Sequence, residues 1–184
     1  TSEDKGVRIA DVNHDGYPDL LKGEDTTIST WLNQGNGSWV NDSLWNIPVG
    51  AAFVNASVEE QGIRIADVNG DRLPDIVQGF SNTLQTWINT ANGTWQFNST
   101  WILPNTDLAF VNSAGKNKGV RIVDVTGDEM PDIVKQNYTN SSTFVSNATR
   151  GYLLLNVTYD FGGTEQFSYS SSTRFNETGN NSLD

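Results

Sequence analysis

Apolar and polar residues alternate in short runs along this chain, and no stretch sustains a helical period. Val7-Arg-Ile-Ala10 and Ile28-Ser-Thr-Trp31-Leu32 follow the period of two that a half-buried strand requires. Asn36-Gly37 and Asn92-Gly93 sit between runs that carry aromatic residues. Asn-Gly tolerates the positive φ angles of a tight turn, so these two dipeptides predict hairpins.

The pattern repeats. Gly6-Val-Arg-Ile-Ala-Asp11, Gly62-Ile-Arg-Ile-Ala-Asp67 and Gly119-Val-Arg-Ile-Val-Asp124 are spaced by 56 and 57 residues. All six tryptophans fall into pairs 56 apart: Trp31 with Trp87, Trp39 with Trp95, and Trp45 with Trp101. Ala52-Phe-Val-Asn55 matches Ala109-Phe-Val-Asn112 in the same way. A period of this size predicts stacked or radially arranged units, here 1–56, 57–113 and 114–150, followed by a tail over 151–184. Four short strands per unit suit an all-β, propeller-like fold. In-register repetition places the tryptophans in the unit cores, with Trp45 and Trp101, each just ahead of an Ile-Pro or Leu-Pro pair, as the best candidates for exposure.

Between the first two strands of each unit lies an acidic nine-residue loop. The three read Asp11-Val-Asn13-His-Asp15-Gly-Tyr17-Pro-Asp19, Asp67-Val-Asn69-Gly-Asp71-Arg-Leu73-Pro-Asp75 and Asp124-Val-Thr126-Gly-Asp128-Glu-Met130-Pro-Asp132. Side-chain oxygens fall at positions 1, 3, 5 and 9, and Tyr17, Leu73 and Met130 at position 7 offer backbone carbonyls. That odd-position spacing is how a tight loop wraps a hard cation such as Ca²⁺. One such loop would pass for an Asp-rich surface turn; three, each followed by Pro-Asp-apolar-apolar, predict three Ca²⁺ sites. Thr126 is a weaker neutral ligand than Asn, so the third site is expected to bind less tightly. With no Cys and a single His, His14 at an outward loop position, a soft or transition-metal site is not expected.

Charge changes the picture in the same direction. The chain carries 22 acidic and 11 basic residues for a net charge of −11, and nine of the acids are loop aspartates. Three divalent ions would reduce −11 to −5, ordinary for a soluble domain. The acidic balance excludes a nucleic-acid partner, which needs a basic face.

With the loops and the following Asn33-Gln-Gly-Asn-Gly-Ser-Trp39 and Asn89-Thr-Ala-Asn-Gly-Thr-Trp95 in view, the chain resembles the FG-GAP/VCBS repeats of integrin α-subunit propellers and many bacterial surface proteins. The likeness covers residues 1 to about 135, and absence of the Phe-Gly and Gly-Ala-Pro signatures from that span favours the bacterial branch. It implies β-propeller blades whose loop aspartates coordinate Ca²⁺ in a hairpin. Residues 159–175 are similar, over a short span, to the segment after such repeats in insecticidal toxin-complex B subunits and related large secreted proteins.

Three blades do not close a propeller ring, and an open arc exposes edges and an apolar face. The chain begins in mid-unit, without a Phe-Val-Asn strand ahead of the first repeat. Three explanations are open: a fragment of a longer chain, blades completed by other copies of itself, or an open stack. In the tail, Leu153, Leu155, Val157, Tyr159 and Phe161 alternate up to Gly162-Gly163, predicting a terminal hairpin that covers or exchanges. A strict two-residue turn would set Asp160 opposite Glu165, an unfavourable pair.

Eleven Asn-x-Ser/Thr sequons, at Asn36, Asn41, Asn55, Asn92, Asn98, Asn137, Asn140, Asn147, Asn156, Asn176 and Asn180, are dense for chance and point to a glycosylated, extracellular or cell-surface protein. No segment is long and apolar enough to span a membrane, and the absence of Cys excludes a disulfide scaffold. Nothing pairs a nucleophile with a base or two carboxylates across a cleft. The expected role is a non-catalytic, calcium-stabilised structural or interaction module of a large surface or filamentous assembly. Its rivals are a glycan- or protein-binding adhesin and the propeller of a secreted toxin shell.

Overall fold

The computed structural model describes residues 3–136, 141–148 and 153–169. Within them the chain is all-β and propeller-like. Unit 1 is an antiparallel sheet in chain order: β1 (Val7–Ala10), β2 (Asp19–Glu24), β3 (Thr27–Asn33) and β4 (Trp39–Asn41). Unit 2 copies it with β5 (Ile63–Ala66), β6 (Asp75–Phe80), β7 (Thr83–Asn89) and β8 (Trp95–Asn98). Unit 3 has β9 (Val120–Val123), β10 (Asp132–Gln136) and β11 (Ser141–Phe144). The registers correspond: Leu20 pairs with Trp31, Ile76 with Trp87 and Ile133 with Phe144.

After β4 and β8 the chain crosses to the next unit through a short 3-10 turn, Ser43–Trp45 or Thr106–Leu108, and then a Phe-Val segment. The Phe53 N–H donates to the Gly23 carbonyl at 2.9 Å and the Asp25 N–H to the Val54 carbonyl at 2.8 Å. Val54 thus lies parallel to the end of β2 and antiparallel to Glu60. Phe110 and Val111 repeat the arrangement against Gly79 and Ser81. Glycine is required at 23 because a Cβ there would stand 2.6 Å from Ile47 Cδ1 and 3.2 Å from the Phe53 ring. Full burial of each phenylalanine is worth roughly 1.5–3 kcal/mol, and Arg8 and Arg64 cover their rings at 5.0 and 4.9 Å.

The cores lie between sheets. One joins Val12, Leu21, Leu32, Trp45, Ile47 and Phe53 of the first repeat and its crossover to Ile63, Ile76 and Trp87 of unit 2. The other joins Val68, Val77, Leu103, Leu108 and Phe110 to Val120 and Ile133 of unit 3. The central strand β6 is therefore buried on both faces from Asp75 to Gly79, while β2 buries alternate residues only.

Unit 3 shows three strands among the described residues. Two expectations need correction. Trp45 is buried in the first core rather than exposed, and Trp101 packs partly buried against the second; Trp39 is the exposed tryptophan. The tail does form a hairpin, β12 (Asn156–Thr158) with β13 (Thr164–Gln166). Its register sets Val157 rather than Asp160 opposite Glu165. The turn is closed by Tyr159 and Gly163, and Glu165 accepts the Tyr159 hydroxyl at 2.8 Å.

Candidate metal centres

Each acidic loop joins the first two strands of its unit, and all three adopt one conformation. Positions 4 and 6 have positive φ throughout: His14 at 60° and Gly16 at 89°, Gly70 at 79° and Arg72 at 72°, Gly127 at 72° and Glu129 at 65°. Each loop thus holds one non-glycine residue in the left-handed region, a strain that only an over-determined turn sustains.

Hydrogen bonds supply that determination. The position-1 carboxylate gathers the loop's own N–H groups: Asp11 accepts from Asp15 and Gly16, Asp67 from Gly70, Asp71 and Arg72, and Asp124 from Thr126, Gly127 and Glu129. Burial acts to raise the Asp124 carboxyl, but its backbone donors outweigh it and hold the group below the ordinary value. At position 5, Asp15, Asp71 and Asp128 accept from the N–H of Tyr17, Leu73 and Met130 at 2.9, 2.8 and 3.0 Å. Asn13 and Asn69 at position 3 donate to the same aspartates in the first two loops.

The position-9 carboxylates Asp19, Asp75 and Asp132 have no exposed surface. One oxygen of each accepts the N–H at position 2, from Val12, Val68 or Val125, at 2.9–3.0 Å. The other accepts an N–H at the end of the third strand or just beyond it, from Asn33, Asn89 or Ser146, at 2.8–2.9 Å. Among the described residues no Lys or Arg pairs with any of them. Burial pushes the Asp75 carboxyl up to about 7 against its two backbone donors, and the neighbouring Asp71 and Asp67 charges add to the rise. Asp19 is raised for the same reasons.

The donor set fits a hard divalent cation. It is all oxygen, it recurs at odd positions, and it places one buried, uncompensated carboxylate in each loop. No three acidic or histidine side chains yet converge at ligating distance among the described residues; their oxygens hold backbone N–H groups instead. Position 7 serves packing as well, since Leu73 and Met130 are buried whereas Tyr17 is exposed and lies against Gly35. His14 is exposed, and with Asn13 it faces Asp71, Arg72, Leu73 and Ala91 across a cavity of about 510 Å³.

Sequence reasoning missed Asn33, Asn89 and Ser146, which fix the buried carboxylates from the third strand. The available signal was that Asn33 and Asn89 share one place in the repeat. Of the sequons, Asn36 and Asn92 are exposed at equivalent hairpin tips, and Asn41, Asn147 and Asn156 are exposed elsewhere. Asn55 and Asn98 are half-buried, and Asn98 accepts the N–H of Thr100 and Trp101. Asn137, Asn140, Asn176 and Asn180 lie outside the described residues.

A solved lectin from Agrocybe aegerita, studied for its specific recognition of non-reducing terminal N-acetylglucosamine, is similar in fold. It matches with a TM-score of 0.55 at 18% identity over 78% of this chain. The match spans 35% of the lectin chain, and at that identity it speaks for the fold alone. No curated protein matches the sequence. The FG-GAP-like repeat model matches twice, over residues 11–77 and 67–134. Those matches run from the first acidic loop through the third, more than half of the chain, and the chain belongs to the FG-GAP-like repeat family.

Proposed function

We propose that this chain is a calcium-stabilised extracellular interaction module, part of a large cell-surface or filamentous assembly, that binds rather than catalyses. The observation that carries the reading is the set of buried position-9 carboxylates, Asp19, Asp75 and Asp132, with no cationic side chain paired to them among the described residues. A divalent ion held by the side-chain oxygens at positions 1, 3, 5 and 9 and the position-7 carbonyl would compensate that charge. Calcium suits the site because it accepts six to eight oxygens in irregular geometry, and millimolar extracellular calcium fills even weak loops. Exposed sequons at Asn36 and Asn92 suit the same compartment. Calorimetric titration should show saturable calcium binding, and the melting temperature should rise with calcium and fall back in EDTA. Each site filled to 100 times its Kd adds about 2.7 kcal/mol. Absence of both binding and stabilisation removes the reading.

A glycan-binding role is the second reading. Asn69, Gln96, Asn98 and the exposed ring of Phe97 line a cavity of about 320 Å³. Aromatic faces stack on sugars, amides bond hydroxyls, and the lectin's similar fold supports the idea. Retention on a glycan array, lost in Phe97→Ala, would support it; an array without hits would exclude it. The unglycosylated protein is the one to test, because a sugar on Asn98 would fill the same cavity.

A further inference from the structure

Each unit enters its first strand through three polar residues and a glycine, and the charge of that approach is reversed in unit 3. Unit 1 has Glu3-Asp4 and unit 2 has Glu59-Glu60 where unit 3 has Lys116-Asn117. In the first two units the cations at this end of the sheet are neutralised in place: Lys5 pairs with Glu3, Arg8 with Asp4, Lys22 with Glu24 and Arg64 with Glu60. In unit 3, Lys116 is exposed, and half-buried Lys118 bonds the Thr106 carbonyl at 2.8 Å. Arg121 donates to the Asn117 side-chain oxygen and the Val120 carbonyl. Lys135, the counterpart of Lys22, stands across from Val120 on the neighbouring strand. Among the described residues no carboxylate pairs with any of these four cations. Outside the acidic loop over 124–132, no Asp or Glu occurs between Asp107 and Asp160.

The fold does not demand this reversal. Asn55 and Asn112 accept the N–H of Glu59 and of Lys116 in the same way. Gly62 and Gly119 hold the same positive φ and accept from Gly79 and Gln136 alike. One backbone thus carries either charge. Glu59 and Glu60 flank Gly115 of the unit 3 turn, but Asn55 and Arg64 occupy their carboxylates. The four residues of β9 set this end about 13 Å from the third acidic loop, at about 3.3 Å per residue. Physiological salt screens exposed charges beyond roughly 8 Å.

We infer that this basic end of unit 3 binds an acidic polysaccharide, a chain bearing sulfate or carboxylate groups. The inference rests on the reading of the chain as an extracellular interaction module and names its partner class. Lys116 and Lys135 supply point charges, and the Arg121 fork fits two oxygens of one sulfate or carboxylate. The turn over 112–119 holds no aromatic or large apolar side chain, so it offers nothing to stack on a base or to enter a bilayer.

Retention on dextran sulfate tests this, in calcium and in EDTA, against neutral dextran, single-stranded DNA and phosphatidylserine vesicles. The wild type should bind dextran sulfate in both buffers, release it as salt rises, and ignore neutral dextran. Lys116→Glu combined with Asn117→Glu copies the pair that the same turn carries in unit 2, and affinity should fall by about tenfold. Lys5→Glu combined with Lys22→Gln lowers the net charge equally in unit 1 and should leave affinity unchanged. Circular dichroism checks folding, and Lys135→Gln, which copies Gln78, replaces the unit 3 pair if that variant unfolds. A wild type that does not bind overturns the proposal, as do equal losses in the two double variants. Binding that needs calcium and survives the unit 3 exchange, or a tighter hold on the DNA or the vesicles, overturns it too. Calcium titration of the same samples separates the two readings. Calcium binding without retention on dextran sulfate defeats this inference alone; retention without calcium binding defeats the calcium reading alone.

Discussion

Asn89 and Val12, separated by 77 residues, are joined by a 2.8 Å hydrogen bond from the Asn89 side-chain amide to the Val12 carbonyl. The main-chain N–H of the same Asn89 donates to Asp75, and the N–H of Val12 donates to Asp19. One buried asparagine therefore ties the acidic loop of its own unit to the loop of the unit before it.

Asn89→Leu should accordingly cost more than a local loss. It leaves the Val12 carbonyl unpaired in the interior, a penalty of about 1–3 kcal/mol. Urea denaturation should show that loss, and calcium affinity should weaken at the first loop as well as the second. An effect confined to the second loop would mean that the units do not communicate through this bond.

Asp71→Ala separates the loop's metal role from its turn role. Without metal it removes the acceptor for the Leu73 N–H and for the Asn69 amide, both near the surface, each worth about 0.5–1.5 kcal/mol. With calcium it also removes a ligand. The fall in melting temperature should therefore be clearly larger in calcium than in EDTA; equal falls would deny the loop a metal.

Asp75 makes the metal-free protein sensitive to pH. Its folded carboxyl is raised from 3.8 to about 7, so the native state holds a proton that the unfolded chain releases. A folded value above the unfolded one contributes stability that is complete below about pH 4 and lost as pH climbs through about 7. In EDTA the protein should thus be weaker at about pH 8 than at about pH 5, with a limiting slope of about 1.4 kcal/mol per pH unit. Saturating calcium should flatten the difference, because a bound cation favours the carboxylate. Asp75→Asn should flatten it too. Urea melts at the two pH values, with and without calcium, measure all four cases.

The loops, the repeat and the hairpins at Asn36-Gly37 and Asn92-Gly93 were legible because each depends on local chemistry: carboxylate spacing, strand alternation and positive φ. Which aromatic residue meets solvent was not. Trp39 and Trp95 occupy one place in the repeat, yet among the described residues only Trp95 packs on a neighbouring unit's core. Trp45 looked exposed beside its Ile-Pro pair, but the crossover folds it under unit 2. The hairpin register also escaped, since the wider turn between Tyr159 and Gly163 is set by pairing that Gly162-Gly163 alone does not specify.

Gly79 gives the sharpest test of how closely the crossover must approach the sheet. A Cβ there would lie 2.7 Å from Leu103 Cδ1 and 2.9 Å from the Phe110 main-chain nitrogen. That nitrogen donates to the Gly79 carbonyl at 2.8 Å, so the backbone has little room to retreat. Gly79→Ala should destabilise by about 1–3 kcal/mol through overpacking, despite alanine's greater stiffness in the unfolded chain. The corresponding residue of unit 3 is Gln136, whose N–H bonds the Gly119 carbonyl as Gly79 bonds Gly62. Gln136 is exposed, and among the described residues no phenylalanine is seated on it as Phe110 is seated on Gly79. Gln136→Ala should therefore change stability by less than about 0.5 kcal/mol. Denaturant midpoints for the pair distinguish a glycine demanded by the crossover from one demanded by the strand: equal losses at both positions would locate the demand in the strand.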